Sequence, residues 1–153
     1  GSVGSMGGPT ATEIGTFGWA KPPRDPVSYP AGGRYPVRVE NLGNGLYGYV
    51  AGTRFAGNNP ATGWNDVDAV ASCMVLNRNY GPFPGTPLDA LRATAAHEFN
   101  HSIQFGYGAL TGFGKVSDVM VEGLATWMED EVFDASNDSY NYLWPSFTSP
   151  MGR

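Results

Sequence analysis

The spacing of apolar residues predicts a two-stranded hairpin after Arg34. In "RYPVRVENL", which begins at Arg34, apolar residues alternate with mostly charged ones, and Val37 and Val39 fall on the face expected to be buried. The "GNG" sequence at 43–45 favours a tight turn, because glycine and asparagine tolerate the backbone conformations that hairpin turns need. We therefore expect the next apolar run, "LYGYVAG", to return as the second strand.

A third strand is predicted after a loop. Residues 54–67 are rich in glycine, asparagine and aspartate, which is typical of a loop. Residues 68–80, "DAVASCMVLNRNY", have a more continuous apolar centre and are expected to form the strand. The single cysteine, Cys73, lies in this centre. Its simplest interpretation is a small buried side chain, and the alternative is a thiolate that caps a metal.

From Thr86 onwards, the spacing of the apolar residues is that of a helix. Thr86 is a candidate N-cap, Pro87 suits the first turn, and Asp89 stands three residues after the cap as in a capping box. Gly106 and Gly108 are expected to end the helix. The stripe expected to face the core comprises Leu88, Leu91, Ala95, Phe99 and Ser102.

A second helix is predicted over residues 116–134, with Ser117 or Asp118 near its start. A third helix is expected to begin in "NDSYNYLWPSF" and to stop at Pro145. Because the strands precede the helices along the chain, the pattern indicates the α+β class. The core stripe predicted for the second helix comprises Val121, Leu124, Ala125 and Met128.

The N-terminal residues 1–33 differ from the rest in composition. Their prolines remove hydrogen-bond donors and fix the backbone, so "KPPRDPVSYPAGG" is expected to be neither a helix nor a central strand. We interpret residues 1–33 as an extended arm over the domain, with "GSVGSMGG" at its start as an expression scar, and residues 34–153 as one folded domain.

Charge and hydropathy exclude two classes of partner. The net charge is −5, and the chain has two lysines and no basic stripe, which argues against binding to nucleic acid. No apolar run approaches the length of a membrane span, and no signal peptide is visible, so no membrane partner is expected. The sequence leaves the oligomeric state open.

Both histidines of the chain fall within the five-residue segment "HEFNH" at 97–101. Residues four apart on a helix are separated by about 40° around the axis and about 6 Å along it, so His97 and His101 can both reach one metal ion. Glu98 lies one step round the helix, where it is well placed to contact a water molecule on that metal. This is the pattern of two zinc ligands and a general base.

A catalytic zinc ion usually has three protein ligands and one open position. No third histidine exists, and Tyr107 stands where an extended three-histidine motif would place one. The third ligand is therefore expected to be a carboxylate or Cys73. Among the acidic residues of the second helix we favour Glu122, because it lies in an apolar stretch where an unpaired carboxylate would be costly. The other acidic residues there are Asp118, Glu129, Asp130 and Glu131.

The segments "HEFNH" and "VEGLA" together resemble the gluzincin metallopeptidases, and "EGLATWME" is similar to the signature of the aminopeptidase N type. That resemblance implies Glu122 as the third zinc ligand. It implies Glu129 as a residue that contacts a zinc ligand rather than the zinc itself. Twenty residues lie between His101 and Glu122, against about eighteen in that type. The resemblance implies Zn2+ as the cofactor.

The longer runs "LDALRATAAHEFNHSIQFGY" and "ATWMEDEVFD" resemble more closely a family of secreted bacterial metalloproteases known mainly from sequence. This likeness covers roughly residues 35–145 and implies an extracellular endopeptidase with a small zincin-like domain. Because such proteins continue further, we expect the domain in residues 34–153 to be truncated at its C-terminus.

The leading hypothesis is a zinc peptidase that acts on a peptide or protein. The substrate is expected to pair with an exposed edge of the sheet, at the 68–80 strand. The alternative is a non-catalytic module that binds zinc or a partner. No residue stands out as the oxyanion donor, for which Tyr107, Tyr140 and Tyr142 are candidates. The oxygen-rich segments at 65–68 and 134–138 are weak candidates for calcium.

Overall fold

The computed structural model describes residues 8–29, 34–109 and 117–133. Within these ranges a short π-helical segment precedes three strands and two helices, so the domain is α+β, with a small mixed sheet. The π-helical segment is Thr10–Thr16, the strands are β1 (Val37–Glu40), β2 (Gly48–Gly57) and β3 (Ala69–Asn77), and the helices are α1 (Pro87–Gly106) and α2 (Asp118–Val132).

The sheet has the order β1-β3-β2, with β3 in the centre. β3 pairs parallel with β1 and antiparallel with β2. The predicted hairpin between the first two strands is therefore wrong: the chain turns near Gly43 but then passes to the far side of β3. The reason is burial, since β3 is covered along almost its whole length and needs a hydrogen-bonded neighbour on each side.

Burial on β1 also differs from the prediction. Val37 and Val39 are 49% and 65% exposed, so the alternating pattern identified a strand but not a buried face. The predicted loop from residue 54 begins later, because β2 continues to Gly57 through two irregularities of register. Gly57 has a positive φ of 73°, a conformation that glycine adopts readily and that ends the strand here.

Because β3 is the central strand, it has no free edge with which a peptide could pair. Both of its sides are occupied by neighbouring strands, so the expectation that a peptide pairs with the 68–80 strand is wrong. The free edges of the described sheet belong to β1 and β2. The continuous apolar centre of β3 is typical of a strand that is covered on both faces in the middle of a sheet.

Helix α1 begins as predicted. The side chain of Thr86 accepts a hydrogen bond from the backbone N–H of Asp89, and Pro87 occupies the first turn. The helix packs over the sheet through a core of Met74, Leu76, Phe99 and Ile103. Leu88 is 53% exposed, so the predicted apolar stripe starts one turn later, where Leu91 joins the core.

Helix α2 packs against α1. Ser117 caps it, as its side chain accepts a hydrogen bond from the N–H of Met120. Val121, Ala125 and Met128 are buried as predicted, and Leu124 is half-buried. The predicted third helix lies outside the described residues. Within the described ranges, neither helix is long and apolar enough to cross a membrane.

The described part of the N-terminal arm, residues 8–29, contains the π-helical segment, which its composition did not predict. Glu13 in this segment is fully buried, and its carboxylate accepts a hydrogen bond from the side-chain amide of Asn100 on α1. The ring of Phe17 lies 5.5 Å from that of Trp127 on α2. The arm therefore touches both helices.

Glu13 is expected to make the protein less stable as the pH rises. Burial raises the pKa of its carboxyl group from 4.5 to about 8, and the hydrogen bond from Asn100 offsets this only in part. Between these values the unfolded chain releases a proton that the folded protein keeps. The free energy of unfolding should therefore fall across this window, by up to about 1.4 kcal/mol per pH unit, and level off above it.

The variant Glu13→Gln should lose this slope, because its amide oxygen can still accept from Asn100 but no proton titrates. Denaturant unfolding of both proteins, at several values between about pH 5 and pH 8, measures the difference. Glu131→Gln is the control, since Glu131 is an exposed glutamate on α2. If the wild-type and Glu13→Gln curves run parallel over this range, the assignment is wrong.

Candidate metal centre

Helix α1 presents His97 and His101 on successive turns of one face. Their ring centroids are 4.7 Å apart, and the two Nε2 atoms are 3.0 Å apart. Both side chains are mostly buried, because this face of α1 packs against α2. The helical spacing that the sequence predicted therefore brings the two imidazole nitrogens to one point.

Helix α2 brings Glu122 to the same point. Its Oε2 lies 3.3 Å from His97 Nε2, and its Oε1 lies 3.5 Å from His101 Nε2. A zinc ion with bonds of about 2.0–2.1 Å and tetrahedral angles holds its ligand atoms about 3.3 Å apart. The two Nε2 atoms, 3.0 Å apart, are close to that spacing, and each has a Glu122 oxygen, a different one for each ring, at 3.3 or 3.5 Å. One ligand atom from each of the three residues lies within 4.8 Å of the other two. The residues present thus fit a tetrahedral ion with one position left open.

In each imidazole ring, the nitrogen that faces away from the other histidine, Nδ1, lies next to a hydrogen-bond acceptor. His97 Nδ1 lies 2.7 Å from Glu129 Oε1, and His101 Nδ1 lies 2.8 Å from Gln104 Oε1. An acceptor at Nδ1 places the ring proton there and turns the lone pair of Nε2 towards the other ring. Two nitrogen lone pairs and a carboxylate then face one another at about 3 Å. This arrangement holds when both rings are neutral, and a bound cation would then offset its repulsion.

Glu129 contacts a candidate ligand, His97, as the family resemblance implied. It follows Glu122 by two turns of α2, lies on the same face, and hydrogen-bonds the back of His97 rather than the point where the three candidate ligands meet. A carboxylate in this position fixes the orientation of a ligating histidine and increases its basicity.

Glu122 is placed as predicted, but the reason given for choosing it is wrong. Its side chain is 60% exposed, so this carboxylate has no burial cost for a metal to offset. The apolar residues around it in the sequence lie on other faces of α2, and Val119 and Met120 are themselves exposed. The exposure of Glu122 instead leaves one side of the centre open to solvent.

The two histidines have opposite tendencies to ionise. Burial lowers the pKa of His97, but the hydrogen bond and charge of Glu129 outweigh it, so its pKa is raised overall. Burial lowers the pKa of His101, and the neighbouring His97 lowers it further, so its pKa falls below the ordinary value. Because a histidine must be neutral to bind a metal ion, protonation of His97 would compete with metal binding more than protonation of His101.

Glu98 lies inside the packed face of α1 and is 8% exposed. Burial raises the pKa of its carboxyl group to about 7; the positive charge of His97 lowers it, while the carboxylates of Glu122 and Glu129 raise it further. Its charge interacts with members of the cluster, although its carboxylate is not among the three groups that meet there. A carboxyl group whose pKa lies near neutrality can exchange a proton at physiological pH.

The other predicted candidates lie elsewhere. Cys73 is buried in β3 and its thiol donates to the carbonyl of Met74, so it is not a ligand here. The hydroxyl of Tyr107 accepts a hydrogen bond from the N–H of Ala20, and its ring packs against Trp64. Asp118, Asp130 and Glu131 fall outside the cluster. Tyr140, Tyr142 and residues 134–138 lie outside the described ranges.

The oxygen-rich segment at 65–68 forms a loop that is held by its own hydrogen bonds. The carboxylate of Asp66 accepts from the N–H of Asn59, the hydroxyl of Thr62 and the indole of Trp64. Among the described residues, His97, His101 and Glu122 are the group of metal-binding side chains that the structure brings together. The weak calcium hypothesis for 65–68 gains no support.

Gln104 is the residue of the site that the sequence did not reveal. It follows His101 by three residues, a spacing at which helical side chains meet, and its amide oxygen faces His101 Nδ1. A polar side chain one helical turn after a candidate ligand is a sequence feature that can identify such a residue. Glutamine on a helix is usually exposed, however, and only the packing of α2 shows that Gln104 is buried.

Comparisons of the chain with protein-family models, with curated proteins and with solved structures found no match. A function must therefore be inferred from the chain's own residues and their geometry.

Proposed function

We propose that this protein is a zinc-dependent peptidase of the gluzincin type. The observation that supports it most strongly is that His97, His101 and Glu122 converge, with one ligand atom from each within 4.8 Å of the others and the two Nε2 atoms 3.0 Å apart. Two nitrogen ligands and one carboxylate form a donor set that zinc accepts well, and catalytic zinc sites with two histidines and one glutamate keep a fourth position for water or substrate.

Zinc bound there supplies a Lewis acid, which makes a water molecule acidic at neutral pH and polarises the carbonyl of a peptide bond. Glu98 takes the proton from the attacking water and delivers it to the leaving amine. Glu98 follows His97 directly on α1, one step round the helix from the ligand face, and its burial keeps the carboxylate away from competing solvent. Glu129 holds His97 in place from behind.

The open side of the centre suits a large substrate. Glu122 is exposed while both histidines are mostly buried, so a peptide can approach from the solvent side of α2 without entering a closed cavity. Cleavage within a chain, in the extracellular space, is the part of this proposal that rests on the family resemblance alone.

A non-catalytic zinc-binding module remains the second candidate, and one observation favours it. Hydrolysis requires a donor for the negatively charged oxygen of the tetrahedral intermediate. Among the three tyrosine candidates, Tyr107 is the one within the described residues, and its hydroxyl is placed by the backbone N–H of Ala20, on the N-terminal arm, rather than by a contact with the metal-centre residues. An interaction module would need the metal but not this donor.

The test combines metal content with cleavage. We expect the purified chain to bind one zinc ion, and the zinc-loaded protein to cleave unfolded polypeptides into fragments detectable by mass spectrometry. Removal of zinc with a chelator should stop cleavage, and added zinc should restore it. His101→Ala should neither retain zinc nor cleave.

The possible outcomes separate the two candidates. Stoichiometric zinc without cleavage of any peptide in a diverse library would favour the module. A chain that binds no zinc would contradict both, and cleavage that persists in His101→Ala would point to a contaminating protease.

A further inference from the structure

Gln104 makes three polar contacts from a buried position. Its Oε1 lies 2.8 Å from His101 Nδ1, and its Nε2 donates to Asn100 Oδ1 at 2.8 Å and to the backbone carbonyl of Val121 at 3.0 Å. The residue is 6% exposed, so these contacts are not exchanged readily for water. One amide group therefore touches a candidate ligand on α1 and the residue before Glu122 on α2.

The orientation of this amide follows from its partners. The carbonyl of Val121 can only accept a hydrogen bond, so the amide nitrogen of Gln104 must face it and the amide oxygen must face His101. An oxygen at that place can only accept, so the proton of the neutral ring of His101 is on Nδ1. The Nε2 lone pair is then the one directed at His97 and Glu122.

A second amide strengthens this orientation. Asn100 Oδ1 accepts from Gln104, which turns Asn100 Nδ2 towards Glu13, where it donates to Oε2 at 3.0 Å. Asn100 and Glu13 are both fully buried. The N-terminal arm thus ends a hydrogen-bonded chain, Glu13–Asn100–Gln104–His101, in which the donors and acceptors of both amides are assigned.

We propose that Gln104 is the positioning residue that holds His101 as an Nε2 ligand and sets the spacing between the histidine helix α1 and the glutamate helix α2. This inference rests on the proposed function, because it assigns a role within the same metal centre. Glu129 orients His97 through a single hydrogen bond from α2 to the ring, whereas Gln104 lies on α1 beside His101 and reaches α2 through a separate bond. Gln104 performs both tasks, since its amide also bonds to Val121.

Two substitutions separate the two tasks. Gln104→Leu removes the acceptor for His101 and the donor to Val121, and zinc affinity should fall by about 10–100-fold, the usual effect of losing a group that orients a metal ligand. Gln104→Glu keeps an acceptor for His101 but cannot donate to Val121 when ionised. It should keep the ring orientation and bind zinc with intermediate affinity.

The measurements are zinc competition with a chelator of known affinity and the tautomeric state of His101 from nitrogen-15 NMR of the zinc-free protein. Wild type and Gln104→Glu should show the proton on Nδ1, whereas Gln104→Leu should show a mixture or the Nε2 form. Thr94→Val is the matched control, because Thr94 is also buried on α1 but bonds to Ala90 and Tyr80, neither of which belongs to the metal centre. It should leave zinc affinity and tautomer unchanged.

The outcomes distinguish this inference from the proposed function. Wild-type zinc affinity in Gln104→Leu, with His101 still protonated on Nδ1, would overturn the inference and leave the metal site intact. Absence of zinc binding by the wild type would contradict the proposed function, while the NMR result would still decide whether Gln104 orients His101. If Gln104→Leu does not fold, a Gln104→Glu protein with the Nε2 tautomer would equally overturn the inference.

Discussion

Replacing Glu98 with glutamine is expected to lower the rate of peptide hydrolysis by about 10²–10⁴-fold, the usual contribution of a general base. The amide is nearly the same size as the carboxylate but cannot take a proton from water. Because Glu98 is not among the three converging groups, zinc content should stay at the wild-type level. Initial rates with a fluorogenic peptide, together with zinc analysis of the same sample, measure both effects.

A matched control for this variant is Glu131→Gln, which makes the same chemical change at an exposed position on α2. It should hydrolyse the peptide at the wild-type rate. A Glu98→Gln protein that keeps full activity would rule out the mechanism proposed here. A variant that loses zinc together with activity would instead place Glu98 among the ligands.

Zinc is expected to raise the melting temperature substantially. The three candidate ligands come from two helices, so the ion would join α1 and α2 in the folded protein only. At a free zinc concentration about 1,000 times the dissociation constant, linkage predicts about 4 kcal/mol of added stability. Since each kcal/mol moves the melting temperature of a domain of this size by about 2–4 °C, the rise should be about 8–16 °C.

Thermal melts after chelation, and again after zinc is restored, measure this shift. The chelated protein should remain folded, because the core between α1 and the sheet does not involve the metal. Glu122→Gln should shrink the shift strongly, whereas Asp118→Asn and Glu131→Gln should leave it unchanged. If Asp118→Asn abolishes the shift and Glu122→Gln does not, Glu122 is not the third ligand.

The features that could be predicted from the sequence are those set by local geometry. Thr86 and Pro87 fix where α1 starts, and the helical repeat then determines that His97 and His101 share a face. The resemblance to the aminopeptidase N signature implied roles for Glu122 and Glu129, and their seven-residue spacing explains why they share one side of α2. In each case the relation spans two turns of helix or less, where backbone geometry alone decides the outcome.

The features that were missed depend on contacts between distant parts of the chain. The order of the strands depends on which strand lies at the centre of the sheet. The residue pattern of one strand alone does not reveal this. The exposure of Glu122 depends on which faces of α2 the neighbouring elements cover. Gln104 becomes part of the site only because α2 and Asn100 supply acceptors for its amide.

The buried contact between Glu13 and Asn100 also constrains the order in which the protein can fold. The contact joins residues 87 positions apart, and so does the hydrogen bond from Ala20 to Tyr107. During synthesis the arm leaves the ribosome long before α1 exists, and an isolated seven-residue helix is too short to persist in water. The arm is therefore expected to stay unstructured until α1 has formed. Its docking on α1 then closes a loop of 87 residues. Long-range closure of this kind slows folding relative to local contacts. The support that the arm gives to the histidine helix is thus completed late, after the rest of the domain has been made.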